Sequence, residues 1–365
     1  MNSQQRLRVI ISGGGTGGHI FPAIAIANTL KKRLDHCDIL FVGALGKMEM
    51  EKVPAAGYEI KGLWISGLQR KLTLKNLSFP FKVIVSLWKA KKIIKEFKPG
   101  VVIGVGGFAS GPTLRAATAL KIPTLIQEQN SFPGITNKIL SKKVDKICVA
   151  YDGMEKYFPA EKIVKTGNPI RKEMVEIKGL RNEAIRFFNL KKDKKTLLIV
   201  GGSLGALSVN KGIHEHLELF VKNGLQLIWQ TGNYYYETAK GENKDEIRVV
   251  KFIEKMNMAY AAADIIVSRA GAIAISEICA VHKPTIFVPL PSAAEDHQTK
   301  NAQALVDKDA ACIVKDDEVL EKLGKTVIDL LQNGKDQMVF SENLEKLAIS
   351  DAADRIVNEI LTINN

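Results

Sequence analysis

Residues 7–34 read LRVIISGGGTGGHIFPAIAIANTLKKRL. The first six, Leu7–Ser12, are an apolar, β-branched run with the length of a buried strand. Gly13-Gly14-Gly15-Thr16-Gly17-Gly18 follows and satisfies G-x-G-x-x-G at 13, 15 and 18. The segment over about His19–Leu34 then predicts a helix. Strand, glycine turn and helix open a doubly wound α/β unit, where N–H groups unobstructed by side chains can approach a phosphate at a helix N-terminus. This is not a Walker loop, because His19-Ile20 stands where Lys-Ser/Thr is required. Two readings stay open on the turn alone: a dinucleotide fingerprint with Asp35 or Asp38 on the ribose, and a tight turn needing positive φ.

The same logic extends along the chain. Asp38–Gly43, Tyr58–Ile65, Val101–Val105, Thr124–Gln127 and Lys146–Ala150 are further apolar runs that suit parallel strands covered on both faces. The pattern restarts at Thr196–Val200, followed by Gly201-Gly202-Ser203-Leu204-Gly205-Ala206 and another helix. Leu225–Gln230, Arg248–Phe252, Asp264–Ser268, Thr285–Pro289 and Ala311–Val314 continue it. The chain therefore predicts two doubly wound α/β domains, residues 1–167 and 168–344, joined near Thr-Gly-Asn-Pro-Ile-Arg (166–171). One last helix is expected over about Ser341–Leu361. Gly104–Gly111 and Arg269–Ala272 are two more turns between strand and helix. A dehydrogenase needs one phosphate turn, whereas four shared between two halves suit a ligand held between domains, as in a nucleotide-sugar enzyme.

Composition bounds the alternatives. The 365 residues are 46% hydrophobic and 25% charged, which describes an ordinary globular chain. No apolar run approaches the roughly 18 residues of a membrane span, and the polar start leads straight into a strand, so neither a signal peptide nor a spanning helix is expected. Lys and Arg number 52 against 39 Asp and Glu, a net +13 that favours anionic partners. Aromatics are only 7%, and the main basic cluster is aliphatic, which argues against a nucleic-acid groove. The four cysteines, Cys37, Cys148, Cys279 and Cys312, form no C-x-x-C and sit in apolar surroundings. They read as buried free thiols in a reducing cytoplasm.

Further stretches carry a family resemblance over nearly the whole chain. They are GGTGGHIFPA (14–23), GGFASGP (106–112), EQN (128–130), GNPIR (167–171), GGSLGA (201–206), QTG (230–232), SRAGA (268–272), SEI (276–278), PLP (289–291) and HQ-x-x-NA (297–302). In this order they resemble the MurG family of UDP-N-acetylglucosamine transferases. The resemblance implies the GT-B fold, two Rossmann-like domains facing a deep cleft, with the last helix (about 345–365) returning to the first domain. It implies an inverting transfer of GlcNAc from UDP-GlcNAc to the MurNAc 4-hydroxyl of lipid I, giving lipid II for peptidoglycan, cell shape and division. The expected location is the cytoplasmic face of the membrane, with cell-wall and division proteins as partners.

The resemblance also implies roles. Arg171 and Ser203 take the diphosphate region or nucleotide, the backbone of Ile253 the uracil, and Glu277 the ribose diol. The segment Ala272, Ile273, Ala274, Ile275, Ser276, Glu277 opens a helix toward the pyrophosphate, and Gln298 binds GlcNAc hydroxyls. Thr16, Gly17 and Gly18 are expected near the reacting sugars and the lipid I pyrophosphate, and Asn130 is expected to bind at the cleft. His19 is the first choice for the general base, since its titration range suits the task. Glu128 is the second choice, as base or as orienter of His19. Relatives often carry His before Glu-Gln-Asn, where this chain has Gln127. No cofactor and no obligatory metal are expected: the D-x-D at Asp307-Lys308-Asp309 lies beside no glycine turn and reads as a solvated helix end.

Arg70–Lys98 holds nine basic residues and one acid, Glu96, among many apolar ones. That mixture suits an interfacial surface meeting anionic head groups. Leu74, Phe79, Phe81 and Trp88 are the expected membrane contacts, while Val83, Ile84 and Leu87 are expected in the core.

Overall fold

The computed structural model describes residues 6–67, 79–171, 175–202 and 204–364. The chain forms two compact units: Met1–Ile170 with Asp351–Asn365, and Arg171–Ser350. The first runs β1 (Leu7–Ser12), α1 (Gly17–Arg33), β2 (Cys37–Ala44), α2 (Glu49–Ala55), β3 (Glu59–Leu63), α3 (Phe79–Phe97), β4 (Val101–Gly104), α4 (Ser110–Ala119), β5 (Thr124–Glu128), α5 (Ile135–Ser141), β6 (Lys146–Val149) and β7 (Ile163–Lys165). The second runs α6 (Arg181–Phe187), β8 (Lys195–Val200), α7 (Leu207–Glu215), α8 (Leu217–Lys222), β9 (Leu225–Gln230), α9 (Asn233–Ala239), β10 (Ile247–Val250), α10 (Met256–Ala262), β11 (Ile265–Ser268), α11 (Ala272–Val281), β12 (Thr285–Phe287), α12 (His297–Val306), β13 (Cys312–Ile313), α13 (Val319–Gln332) and α14 (Gly334–Leu347). A last helix, α15 (Ala352–Asn364), completes the chain.

The first sheet has the order β3-β2-β1-β4-β5-β6-β7, and the second β10-β9-β8-β11-β12-β13. Every strand pairing is parallel. The β-branched runs are explained by burial on both faces. Ile10, Val42, Val102 and Ile126 enter one core of the first unit, while Val9, Ile11, Ile103 and Leu125 enter the other. In the second unit Leu198, Ile228 and Ile266 face one way, and Leu197, Ile199, Trp229 and Val267 the other. Period-two side-chain alternation thus serves two apolar layers, so neither face shows a polar stripe.

One expectation needs correction, and one strand went unforeseen. The single terminal helix over Ser341–Leu361 is two helices, because Ala348 turns extended (φ −67, ψ 132) and ends α14. Leu344 of α14 stays in the second unit's core. The return to the first unit begins at Ala352, where Ile356, Val357 and Ile360 pack with Ile20, Ile24 and Ala27 of α1. Each such side chain contributes about 1.5–3 kcal/mol by leaving water, which holds the tail against a unit far back in sequence. The strand β7 escaped the sequence reading because it is three residues long and only partly buried.

Cys148 and Cys279 are buried in the first and second units, and burial pushes each thiol up to about 12. A thiol in the unfolded chain ionises near 9. Between pH 9 and 12 the unfolded state therefore holds fewer protons than the folded one, and stability falls as pH rises, by up to about 1.4 kcal/mol per pH unit for each thiol. Below pH 9 neither group contributes. Cys148→Ala and Cys279→Ala should each flatten the alkaline limb of unfolding free energy against pH, measured by denaturant titration. An unchanged limb in both would rule out neutral buried thiols as its source.

Candidate functional site

In the first unit the strand order places β1 beside β4, with Ser12 opposite Gly104. All these strands run parallel, but the order in which the chain adds them reverses at this point, where crevices open in doubly wound folds. The turns after β1 and after β4 therefore meet. Val105 N donates to the Ser12 carbonyl at 2.9 Å, and Ser110 Oγ donates to it at 2.7 Å. Gly107 has φ +84, and a Cβ there would collide with the Gly14 carbonyl oxygen. Glycine is required because backbone lies against backbone.

A buried carboxylate, 1% exposed, lies under the first turn: Glu49 of α2 accepts from Gly15 N at 2.8 Å and from Ala44 N at 3.0 Å. The Gly15 donor that a dinucleotide pyrophosphate would use is already taken. Asp38 does not serve as ribose ligand either. It pairs with Arg6 at 2.6 Å and sits opposite Arg8, at the start of the strands. The glycine turn is at their other end, roughly 15 Å away. Asp35 precedes β2 at that same far end. The dinucleotide reading fails on this geometry.

His19, in the first turn of α1, is half-buried over the second turn. A Cβ on Gly106 would lie 2.7 Å from its Cε1, so the ring lies directly on bare backbone. Its Nδ1 is 3.0 Å from Gln129 Oε1. Gln129, and not its neighbour Glu128, is thus a polar partner of the ring. Glu128, 1% exposed, accepts from Asn130 N (3.0 Å), Asn130 Nδ2 (3.1 Å), Gly134 N (3.1 Å) and Asn137 Nδ2 (2.9 Å). Those four donors make it the clamp of its own loop, and they tie Asn130 to that loop. Thr16 and Gly18 are exposed, and Gly17 is half-buried, at the start of α1.

The second unit repeats the plan. Strands β8 and β11 are neighbours, with Val200 opposite Ser268, so the turns at 201–206 and 269–272 flank its switch point. Ser203 lies outside the described residues. Gln230, at the end of β9, donates through Nε2 to Gly202 O at 2.8 Å and accepts from Ile253 N at 3.3 Å. It joins the glycine turn to the backbone position expected to hold uracil. Glu277, on α11, is 9% exposed and accepts a 3.0 Å hydrogen bond from the Tyr260 hydroxyl. Burial, and next the Glu277 charge, hold the Tyr260 hydroxyl well above its usual range, partly offset by the nearby Arg171 guanidinium. Tyr260 and Glu277 are therefore brought into contact, with the Arg171 charge close enough to act on the Tyr260 hydroxyl. Helix α11 begins at Ala272 with Gly271 extended at its N-cap. Ile273, Ala274 and Ser276 are half-buried, while Ala272 and Ile275 are buried. Gln298 Oε1 accepts from Leu290 N at 3.0 Å and braces the loop after β12. Arg269 donates to Val288 O (3.0 Å), Pro289 O (3.1 Å) and Ser208 Oγ (3.0 Å), and pairs with Asp316 at 2.5 Å, locking the second turn of this unit. Asp307 and Asp309 are exposed at the end of α12.

Four polar positions went unassigned in the sequence. Gln129 and Gln230 lie inside the EQN and QTG stretches, so their signal was present. Glu49 and Tyr260 carry none, because only the fold brings them to the turn and to Glu277.

On α3 the exposed apolar side chains are Phe81 (66%), Ile84 (56%) and Trp88 (79%). Ile84 was expected in the core. Its spacing of three and four residues from Phe81 and Trp88 puts it on the same outward stripe. Phe79 and Leu87 are half-buried, and Val83 packs on the core. Leu74 lies outside the described residues.

A doubly wound sheet in each unit, with glycine turns at each switch point, is the GT-B fold of nucleotide-sugar glycosyltransferases. Residues 9–149 match the glycosyltransferase family 28 N-terminal domain, and residues 196–356 its C-terminal domain. The UDP-N-acetylglucosamine–N-acetylmuramyl-(pentapeptide) pyrophosphoryl-undecaprenol N-acetylglucosamine transferase of Cytophaga hutchinsonii is 56% identical over 100% of this chain and 99% of its own. The protein of the same description from Christiangramia forsetii is 52% identical over 99% of each. The crystal structure of Acinetobacter baumannii MurG superposes with a TM-score of 0.79 at 29% identity, covering 98% of this chain and 99% of that one. The chain belongs to the MurG family of glycosyltransferases.

Proposed function

We propose that this protein transfers GlcNAc from UDP-GlcNAc to the MurNAc 4-hydroxyl of lipid I, with inversion, forming lipid II. The observation that carries this reading is the duplicated switch point, one ligand-accepting pair of turns in each unit. The acceptor belongs to the first unit. There the neutral His19 imidazole takes the proton of the 4-hydroxyl as its oxygen attacks the anomeric carbon. The bond from that carbon to the UDP oxygen breaks, and UDP leaves with the electron pair. The donor belongs to the second unit, where Glu277 accepts from the ribose diol and Gln298 reads GlcNAc hydroxyls. Arg171 and the N-terminus of α11 take up the diphosphate charge, which supports a reaction with no obligatory divalent ion.

The test is UDP release from UDP-GlcNAc by purified protein in EDTA, with and without a lipid I analogue. Release that depends on the acceptor is expected. Rescue only by magnesium would overturn the metal-free leaving group. Absence of release in both conditions, from folded protein, would favour an epimerase or another acceptor class.

The same reading makes the protein peripheral at the cytoplasmic face of the membrane, where its lipid-linked acceptor resides. Among the described residues no helix is long and apolar enough to cross a membrane. Support for a peripheral contact comes from the Phe81–Ile84–Trp88 stripe. Beside it lies an open groove of about 1020 Å³ lined by Trp88, Lys91, Lys92, Lys95, Arg115 and Lys143, among others. Replacing Phe81, Ile84 and Trp88 together by Ser should weaken binding to anionic vesicles about 30- to 100-fold, the equivalent of about 2–3 kcal/mol of apolar burial. UDP affinity by calorimetry should stay unchanged. Equal vesicle binding by the triple variant would remove the stripe from the contact. Partners in the cell-wall and division machinery belong to the same reading.

A further inference from the structure

We propose that Gln129 is the positioning residue that fixes the tautomer of His19, and that Gln127 and Asn168 hold Gln129 in place. The proposal rests on the reading of His19 as base. The three amides are buried, at 1%, 0% and 2% exposure respectively. Gln129 Nε2 lies 2.9 Å from the Val105 carbonyl oxygen, which can only accept. The amide therefore turns its NH2 to Val105 and its oxygen to His19 Nδ1, 3.0 Å away. An amide oxygen donates nothing, so Nδ1 must carry the ring proton, and the lone pair of the neutral imidazole falls on Nε2.

The rest of the chain of amides enforces that orientation. Gln129 Nε2 also donates to Gln127 Oε1. Gln127 Nε2 donates to Asn168 Oδ1 at 3.0 Å, and Asn168 Nδ2 donates to the Gln129 backbone carbonyl at 3.0 Å. A backbone carbonyl stands at each end, so the donors run one way. Flipping any one amide sets NH2 against NH2 or oxygen against oxygen in a buried pocket, where unmade hydrogen bonds are costly. Position 127, where the family resemblance leads one to expect histidine, is here an amide that accepts and donates at once. The orienting partner is neutral, unlike the carboxylate of a Ser-His-Asp triad, so it selects the tautomer without adding an ion pair to the ring.

The test is ¹⁵N NMR of imidazole-labelled protein, with His19 assigned among the six histidines by its loss in His19→Asn. In the unsubstituted protein, above the ring's titration, His19 should show a protonated Nδ1 and a bare Nε2. Gln129→Met, of similar length and without hydrogen-bonding groups, should shift the ring toward Nε2–H. It should also lower kcat roughly 10- to 100-fold with the KM for UDP-GlcNAc unchanged. A bare Nδ1 in the unsubstituted protein overturns the proposal without any variant, so a Gln129→Met that fails to fold does not shelter it. An unaltered tautomer in folded Gln129→Met overturns it too. If His19→Asn keeps full kcat, the base reading fails, while the tautomer measurement still decides the role of Gln129.

Discussion

His19→Asn should lower kcat for GlcNAc transfer by about 10²–10⁴-fold, the range over which a positioned general base contributes. Melting temperature and UDP affinity should stay close to those of the unsubstituted protein. Asparagine keeps an N–H donor that can reach Gln129 and removes only the titrating nitrogen. The ring is half-buried and rests on Gly106 backbone, so its loss opens no large apolar cavity. The rival base, Glu128, predicts a different pattern. Its carboxylate accepts four hydrogen bonds from Asn130, Gly134 and Asn137. Glu128→Gln sets an NH2 group against donors inside a buried loop, at a cost of about 1–3 kcal/mol for each group left unsatisfied. Activity and melting temperature should therefore fall together in Glu128→Gln, whereas in His19→Asn activity should fall alone. Loss of kcat at constant melting temperature in Glu128→Gln, with His19→Asn active, would exchange the two roles.

Much of this was legible because the signals were local. A strand followed by glycines and a helix start announces a doubly wound unit, and its recurrence at 196–206 announces a second. The two-faced burial of Leu7–Ser12 or Lys195–Val200 follows from β-branched runs with no polar alternation. What failed to read from the sequence depended on long-range geometry. Glu49 reaches Gly15 only because β2 lies beside β1 and delivers α2 to the turn. Tyr260 meets Glu277 only because α10 and α11 flank the same strand, β11. The choice between Glu128 and Gln129 as partner of His19 hung on which face each side chain takes. At the end of β5 successive side chains point to opposite faces, and one residue's shift exchanges the loop clamp for the ring's partner. The break between α14 and α15 has no proline or glycine to mark it, so one amphipathic run looked like one helix.

The second large effect expected is in the backbone. Gly107→Ala should destabilise the first unit by about 3 kcal/mol or more, combining left-handed strain of about 1–2 kcal/mol with a forced separation of packed turns. Gly107 has φ +84, and its missing Cβ points at the Gly14 carbonyl. Neither partner is a side chain that can swing aside, so the turns after β1 and β4 must part. That parting moves Gly106, on which His19 lies, and the Val105 carbonyl that orients Gln129. Catalysis should therefore fall along with stability. Gly57→Ala provides the control. Gly57 has nearly the same φ, +85, but a Cβ there meets nothing within 4 Å. It should carry the conformational cost alone, about 1–2 kcal/mol, and leave kcat unchanged. UDP affinity, assigned to the second unit, should survive both substitutions wherever the protein remains folded. Denaturant unfolding monitored in each variant decides the matter. Equal losses in Gly107→Ala and Gly57→Ala would mean that φ alone, and not the contact between the two turns, demands glycine at the switch point.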